Sequence, residues 1–143
     1  MNTRKFAFFA GILMLVEGVC ALAQGLSTFP DWLPVLQITQ GYGVFLNLVP
    51  MNIVNKLVLV SFGIAGIVVA QKRFSLEANV RYFKVVFFVM GIAGVLGLFR
   101  YTYTLFGVMP LMRGAAVEHL AFAALAAYLS YKHGELPLHE QLA

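Results

Sequence analysis

The chain has 143 residues, of which 61% are hydrophobic and 11% charged, with ten Lys and Arg against six Asp and Glu. Soluble domains run at roughly 45–50% apolar and about 25% charged, and a domain of this length buries at most about 70% of its chain surface. A soluble enzyme, a nucleic-acid-binding domain and a disordered segment are therefore excluded as main readings, and an integral membrane protein is expected.

A helix needs about 20 mostly apolar residues to cross about 30 Å of hydrocarbon. Four segments meet that length: residues 5–26, 52–71, 81–103 and 111–131. Because lipid leaves no backbone group unpaired, such runs must be helical, and the alternation of a barrel strand is absent. No strand is expected anywhere. The first segment carries Arg4-Lys5, an apolar core and Ala21-Leu22-Ala23, the layout of a secretory signal. Glu17 is out of place in a signal core, and Val19 is too bulky before Cys20 for lipoprotein processing, so the segment reads as a retained helix. Cys20 is the single cysteine, which excludes an internal disulfide.

Residues 27–51 form a long, weakly polar connection broken by Pro30, Pro34 and Pro50, with Trp32 and Tyr42 as interface-seeking aromatics. It is expected to lie along the outer membrane surface, a re-entrant segment being the alternative. Residues 133–143 read as a short polar tail. Positive charge gives the orientation. Arg4, Lys5, Lys72, Arg73, Arg81, Lys84 and Lys132 fall on the side that holds both termini, against Arg100 and Arg113 on the other, with Lys56 inside the second span. Both termini are expected to be cytoplasmic.

The halves are alike. Phe8-Phe9 opens the first span as Phe87-Phe88 opens the third. The run from Gly43 to Pro50 parallels that from Thr104 to Pro110, with Pro50 and Pro110 60 positions apart and Leu57 and Leu120 63 apart. The expected fold is all-α: one transmembrane domain over residues 1–143, a four-helix bundle of two tandem hairpins related by an axis along the membrane normal. The second copy, Leu105-Phe106-Gly107-Val108-Met109-Pro110-Leu111 followed by Val117-Glu118-His119-Leu120, resembles a bacterial four-helix membrane family catalogued only as a domain of unknown function. In the first copy, Asn47-Leu48-Val49-Pro50-Met51-Asn52 followed by Val54-Asn55-Lys56-Leu57, Lys56 stands where that family often carries histidine. The resemblance extends over residues 5–132 and implies the fold and a bacterial cytoplasmic membrane, with no activity attached. DoxX-like four-helix proteins are a more distant likeness.

Ionisable residues inside a membrane are functional candidates, since each costs roughly 2.5–3.5 kcal/mol on insertion scales. At 1.5 Å per residue, Glu17 sits about 18 Å above Lys5 and Arg100 about 24 Å above Lys84. Lys56 sits about 9 Å below Pro50 and Glu118 about 12 Å below Pro110, with His119 beside it. All five belong to the outer half. One reading pairs Glu17 and Glu118 with Lys56 and Arg100, fixing helix order, or lets Arg100 snorkel to the headgroups. The other is a polar pocket with His119 as proton carrier or ligand and a glutamate as its partner.

Bis-histidine haem is excluded, because His133 and His139 lie in the tail. A haem held by His119 with Met51 or Met109 stays open. Neither a thiol redox site nor a closed zinc site can be built without a Cys-x-x-Cys pair, and no catalytic or metal-ligating constellation is recognisable. Gly63 and Gly66, Gly91, Gly94 and Gly97, and Ala116, Ala123 and Ala127 line helix faces suited to close packing. Three functions remain, with no cofactor specified. The first is an accessory or scaffolding subunit of a larger membrane complex, in contact with the lipid bilayer and with other membrane subunits or copies of itself. The second is a protein or enzyme binding lipid, quinone or haem in the outer-half pocket. The third is a proton or ion pathway, for which the inner half offers no polar relay. Nucleic acid is not an expected partner.

Overall fold

Asn52 starts the second helix by satisfying backbone groups that no helix can satisfy for itself. Its Oδ1 accepts from the amides of Val54 and Asn55, and the Asn55 side chain accepts in return from the Asn52 amide, a reciprocal capping box. The computed structural model describes residues 3–134 and contains four long helices among them: α1 (Thr3–Cys20), α2 (Ile53–Val69), α3 (Leu76–Gly97) and α4 (Gly114–Gly134). The remainder of the expected tail, residues 135–143, lies outside the described residues. The chain is thus mostly helical, as expected. Among the described residues one helix, α3, is long and apolar enough to cross a membrane, and α2 is a shorter apolar helix.

Helix α3 begins earlier than the expected residue 81, because Ser75 Oγ caps the Ala78 amide. Glu77 then stabilises the first turn and pairs with Arg81 at 2.8 Å. It also ends before the expected residue 103. Thr102 turns its hydroxyl onto the Leu96 carbonyl at 2.7 Å, and the Leu111 amide reaches the Tyr103 carbonyl at 2.7 Å, so residues 98–113 fold into turns rather than extending the helix.

The expectation of no strands is overturned in the first connection. Strands β1 (Ser27–Thr28), β2 (Gly43–Phe45) and β3 (Val49–Met51) form an antiparallel sheet in that order, with Ser27 opposite Phe45 and Val44 opposite Pro50. Leu46 and Asn47, both at positive φ, turn the chain between β2 and β3, as tight hairpins require. Strands of two or three residues are too short to show a period of two. Val44, Phe45, Pro50 and Met51 are buried, so this part of the connection packs into the protein.

The helices associate as two hairpins, α1 with α2 and α3 with α4. Within the first, Gly11 and Gly63 bring the backbones together: a Cβ at Gly63 would stand 2.6 Å from the Leu15 amide, and one at Gly11 2.7 Å from the Gly63 carbonyl. In the second, a Cβ at Gly94 would stand 2.7 Å from Leu120. The hairpins meet around Met14, Leu59, Phe83, Val86 and Met90. Polar contacts cross the seam as well. Tyr82 donates its hydroxyl to the Phe62 carbonyl at 3.0 Å, and Asn79 Nδ2 donates to the Val69 carbonyl at 2.9 Å. Large apolar side chains remain exposed on every helix, including Phe9, Ile64, Phe88 and Val117.

Both long connections lie at one end of the bundle, and Asn52 and Asn55 join them. Asn52 Nδ2 donates to Ile38 O at 3.0 Å and to Val108 O at 2.7 Å, and Asn55 Nδ2 donates to Pro110 O at 3.0 Å. In the first connection Tyr42 donates to Pro34 O at 3.0 Å, and burial, assisted by nearby Tyr103, pushes its phenol up to about 12. The phenol is neutral when folded and has an ordinary value near 10, so its contribution is complete below about pH 10 and is lost as pH rises through about 12. Alkaline unfolding of Tyr42→Phe should lack this component of the wild-type curve. Asn52→Ala removes a cap and leaves two part-buried carbonyls without donors, an expected loss of about 1–3 kcal/mol by reversible denaturation. Asn52→Asp keeps the cap but turns an acceptor toward both carbonyls, and should be at least as damaging.

Candidate functional site

All five candidate residues lie toward the end of the bundle that carries the two long connections, but they do not form one cluster. Glu17 occupies the last turn of α1 and Glu118 the second turn of α4. Their half-buried carboxyl groups face each other across the two hairpins. An ionised carboxylate only accepts, so the two can hydrogen-bond only with one proton held between them. This contact joins α1 to α4, the helices that begin and end the described chain.

The expected ion pairs of Glu17 and Glu118 with Lys56 and Arg100 are not formed among the described residues. Lys56 is 4% exposed, and its Nζ donates to the Gly41 carbonyl at 2.7 Å. The first connection folds over the start of α2 and supplies that acceptor, so the ammonium is held by a loop. Arg100 is exposed in the turn that follows α3, beside a surface cleft of about 410 Å³ that also touches Trp32, Tyr103 and Arg113. It lies outside the helix because α3 stops at Gly97.

His119 follows Glu118 and therefore points about 100° further round α4. It is 6% exposed, and its Nδ1 donates to the Ala115 carbonyl one turn earlier. That bond fixes the tautomer with the lone pair on Nε2. The ring lines a cavity of about 310 Å³ together with Val58, Met90, Leu96, Met109 and Leu111. Of the two methionines considered as partners in haem ligation, Met109 shares this cavity, whereas Met51 is packed in the core. No group of three or more His, Cys, Asp or Glu that could hold a metal ion occurs among the described residues.

Three polar features were missed from the sequence. Asn52 and Asn55 are buried and join the connections; the spacing Asn-x-x-Asn directly before an apolar helix was the available signal. Asn79 is fully buried, and its Oδ1 has no partner among the described residues. The third feature is Arg113, whose guanidinium carbon stacks 3.7 Å from the Trp32 ring centroid, a cation–π contact between the two connections. No local pattern announces that pair, since its members are 81 positions apart in the chain.

The carboxyl pair has a direct spectroscopic signature. Infrared spectra of the wild-type protein should contain the C=O stretch of a protonated carboxyl, and both Glu17→Gln and Glu118→Gln should lose it. Each amide can still donate to the remaining carboxylate, so thermal stability should change by less than about 1 kcal/mol in either variant.

Residues 4–131 match the sequence family described as Domain of unknown function (DUF4383). No curated protein and no solved structure matches the chain. The match spans nearly the whole described chain, including both hairpins and both proline-tipped connections, and the protein belongs to the DUF4383 family of unknown function.

Proposed function

We propose that all four helices cross a bacterial cytoplasmic membrane, with both termini inside, and that the protein serves there as an accessory or scaffolding subunit of a larger membrane complex. At 1.5 Å per residue the four helices are about 26–33 Å long, close to the thickness of a bilayer core. Exposed Phe, Leu, Ile and Val side chains on every helix suit a lipid surround and would be unusual over so much of a soluble protein. Arg4, Lys5, Lys72, Arg73, Arg81 and Lys84 gather at the end holding the start of α1 and the short α2–α3 turn, which supports the orientation. A tandem duplication is supported by the backbone. Leu46 and Asn47 are left-handed four and three residues before Pro50, and Phe106 and Gly107 are left-handed four and three before Pro110.

The observation that carries the subunit reading is the direction of the polar groups. Asn52, Asn55, Tyr82 and Lys56 are satisfied by partners inside the chain, and the helix flanks are left apolar. On one flank, α3 and α4 leave a groove of about 510 Å³ with Gly91 and Ala123 at its floor and Phe88 and Ile92 beside it. A Cβ at Gly91 would meet nothing nearer than Ala123 at 3.7 Å, in contrast to Gly94, which is closed against Leu120. A helix of another subunit could approach closely there, as small residues permit in membranes.

Three experiments test this reading. The protein should stay with membranes through an alkaline wash, and release into the soluble fraction would overturn the spanning topology. Native mass spectrometry after gentle extraction from its own membranes should find stoichiometric partner subunits. A lone chain would overturn the subunit role. Gly91→Leu should preserve the thermal unfolding of the isolated chain and reduce partner recovery at least tenfold.

A further inference from the structure

We infer that the cavity beside His119 binds a membrane-soluble ring compound that carries a hydroxyl donor, of the phenol or quinol class. The walls are aliphatic and thioether groups: Val58 from α2, Met90 and Leu96 from α3, and Leu105, Met109 and Leu111 from the second connection. Within this lining His119 is the one ionisable side chain. Its Nδ1 hydrogen is committed to the Ala115 carbonyl, and Nε2 has no partner among the described residues. The lining contains no carboxylate to accompany an imidazolium, and an unpaired charge in such surroundings is strongly disfavoured. His119 thus lines the cavity with Nε2 as its one remaining acceptor, and a ligand that hydrogen-bonds to the ring must donate. A hydroxyl does so. A quinone carbonyl or an ether oxygen only accepts, and would set lone pair against lone pair.

Size and access narrow the class further. About 310 Å³ is at the small end of the range for small-molecule sites, room for one substituted ring. Met90 and Met109 offer polarisable sulfurs that pack well against ring edges. Val89 and Ile92, which also border the cavity, are 42% and 59% exposed, so the mouth opens on the apolar flank of α3. Lateral entry from lipid rests on the membrane-spanning reading. The donor requirement rests on the cavity walls and on the His119 bond alone, and is independent of any partner subunit.

The test uses the full chain in lipid nanodiscs, with empty nanodiscs as reference, and two probes, 2,3,5-trimethylphenol and its methyl ether, in which one methyl on the oxygen removes the donor. Binding is read from the ¹⁵N resonance of His119 Nε2 and from titration of the unfolding temperature. The phenol should bind at least tenfold more tightly than the ether and should shift the Nε2 resonance. His119→Leu should bind the two equally. Should His119→Leu fail to fold, Ala93→Phe carries the test, because it fills the cavity from its border with His119 intact and should abolish binding of both probes. Equal binding of the two probes by the wild type overturns the inference, as does phenol binding unchanged in His119→Leu or in Ala93→Phe. Titration with haem alone separates the remaining possibility. A Soret band that His119→Leu removes and the phenol does not displace would make Nε2 an iron ligand and overturn the assignment.

Discussion

Asn52 has two acceptor positions and two donors, and all four are used: two backbone amides of α2 on one side, and one carbonyl from each long connection on the other. The residue is fully buried. In that setting any one of these bonds left unmade costs more than the bond adds in water. The start of α2, residue 38 of the first connection and residue 108 of the second are therefore held relative to one another by a single amide. Asn55 repeats the arrangement nearly one turn on, with the Pro110 carbonyl as its acceptor. Pro110 and Pro50 are both buried, and each connection reaches its helix through a left-handed turn. Buried irregular backbone needs partners for the groups a helix would have paired, and here side chains join loop-to-loop backbone bonds such as Gln37 to Gly107 in supplying them.

The two levels of packing differ in kind. Inside each hairpin, glycine removes the side chain at the crossing, and backbone meets backbone: Gly11 against Gly63, and Gly97 against the Leu111 carbonyl. Such contacts need no hydrophobic driving force and give two well-defined hairpins. Between the hairpins the packing is made by Met14, Met90 and Phe83, and is tied at intervals by polar bonds. These include Asn79 to Val69 O, Tyr82 to Phe62 O and Asn55 to Pro110 O, with Glu17 facing Glu118. A methionine-lined seam adapts more readily than a glycine-packed one, and the His119 cavity borders it, with Val58 from one hairpin facing α3 and α4 of the other.

Much of the helical part was legible beforehand. Four apolar runs of adequate length, each ending in turn residues, lead to four helices whatever else happens, and the helices begin and end within about six residues of the expected limits. The motif at residues 105–120 was enough to identify the family that the chain belongs to. The three-stranded sheet was not legible, because Ser27–Thr28, Gly43–Phe45 and Val49–Met51 are shorter than any periodic signal, and the first of them pairs with the second across 14 residues of loop. The candidate site was legible as a set of residues and not as an arrangement. Counting 1.5 Å per residue assigns a depth to Glu17, Lys56, Glu118 and His119. It does not say that Lys56 is taken by the Gly41 carbonyl, which leaves the two carboxyls to meet each other.

What the sequence determined by itself follows from local quantities. Apolar content, helix length, the Asn-x-x-Asn cap and the glycine spacing are each set within a few residues, and they specify helices, hairpins and their close-packed faces. Tertiary structure alone decided where the polar groups point. Asn52 reaching Val108, Arg113 covering Trp32, and Glu17 touching Glu118 join residues 56, 81 and 101 positions apart. The physical reason is that a buried donor or acceptor takes whichever partner the fold brings within about 3 Å. Which partner that is depends on how one hairpin sits against the other, and no stretch of neighbouring residues encodes it.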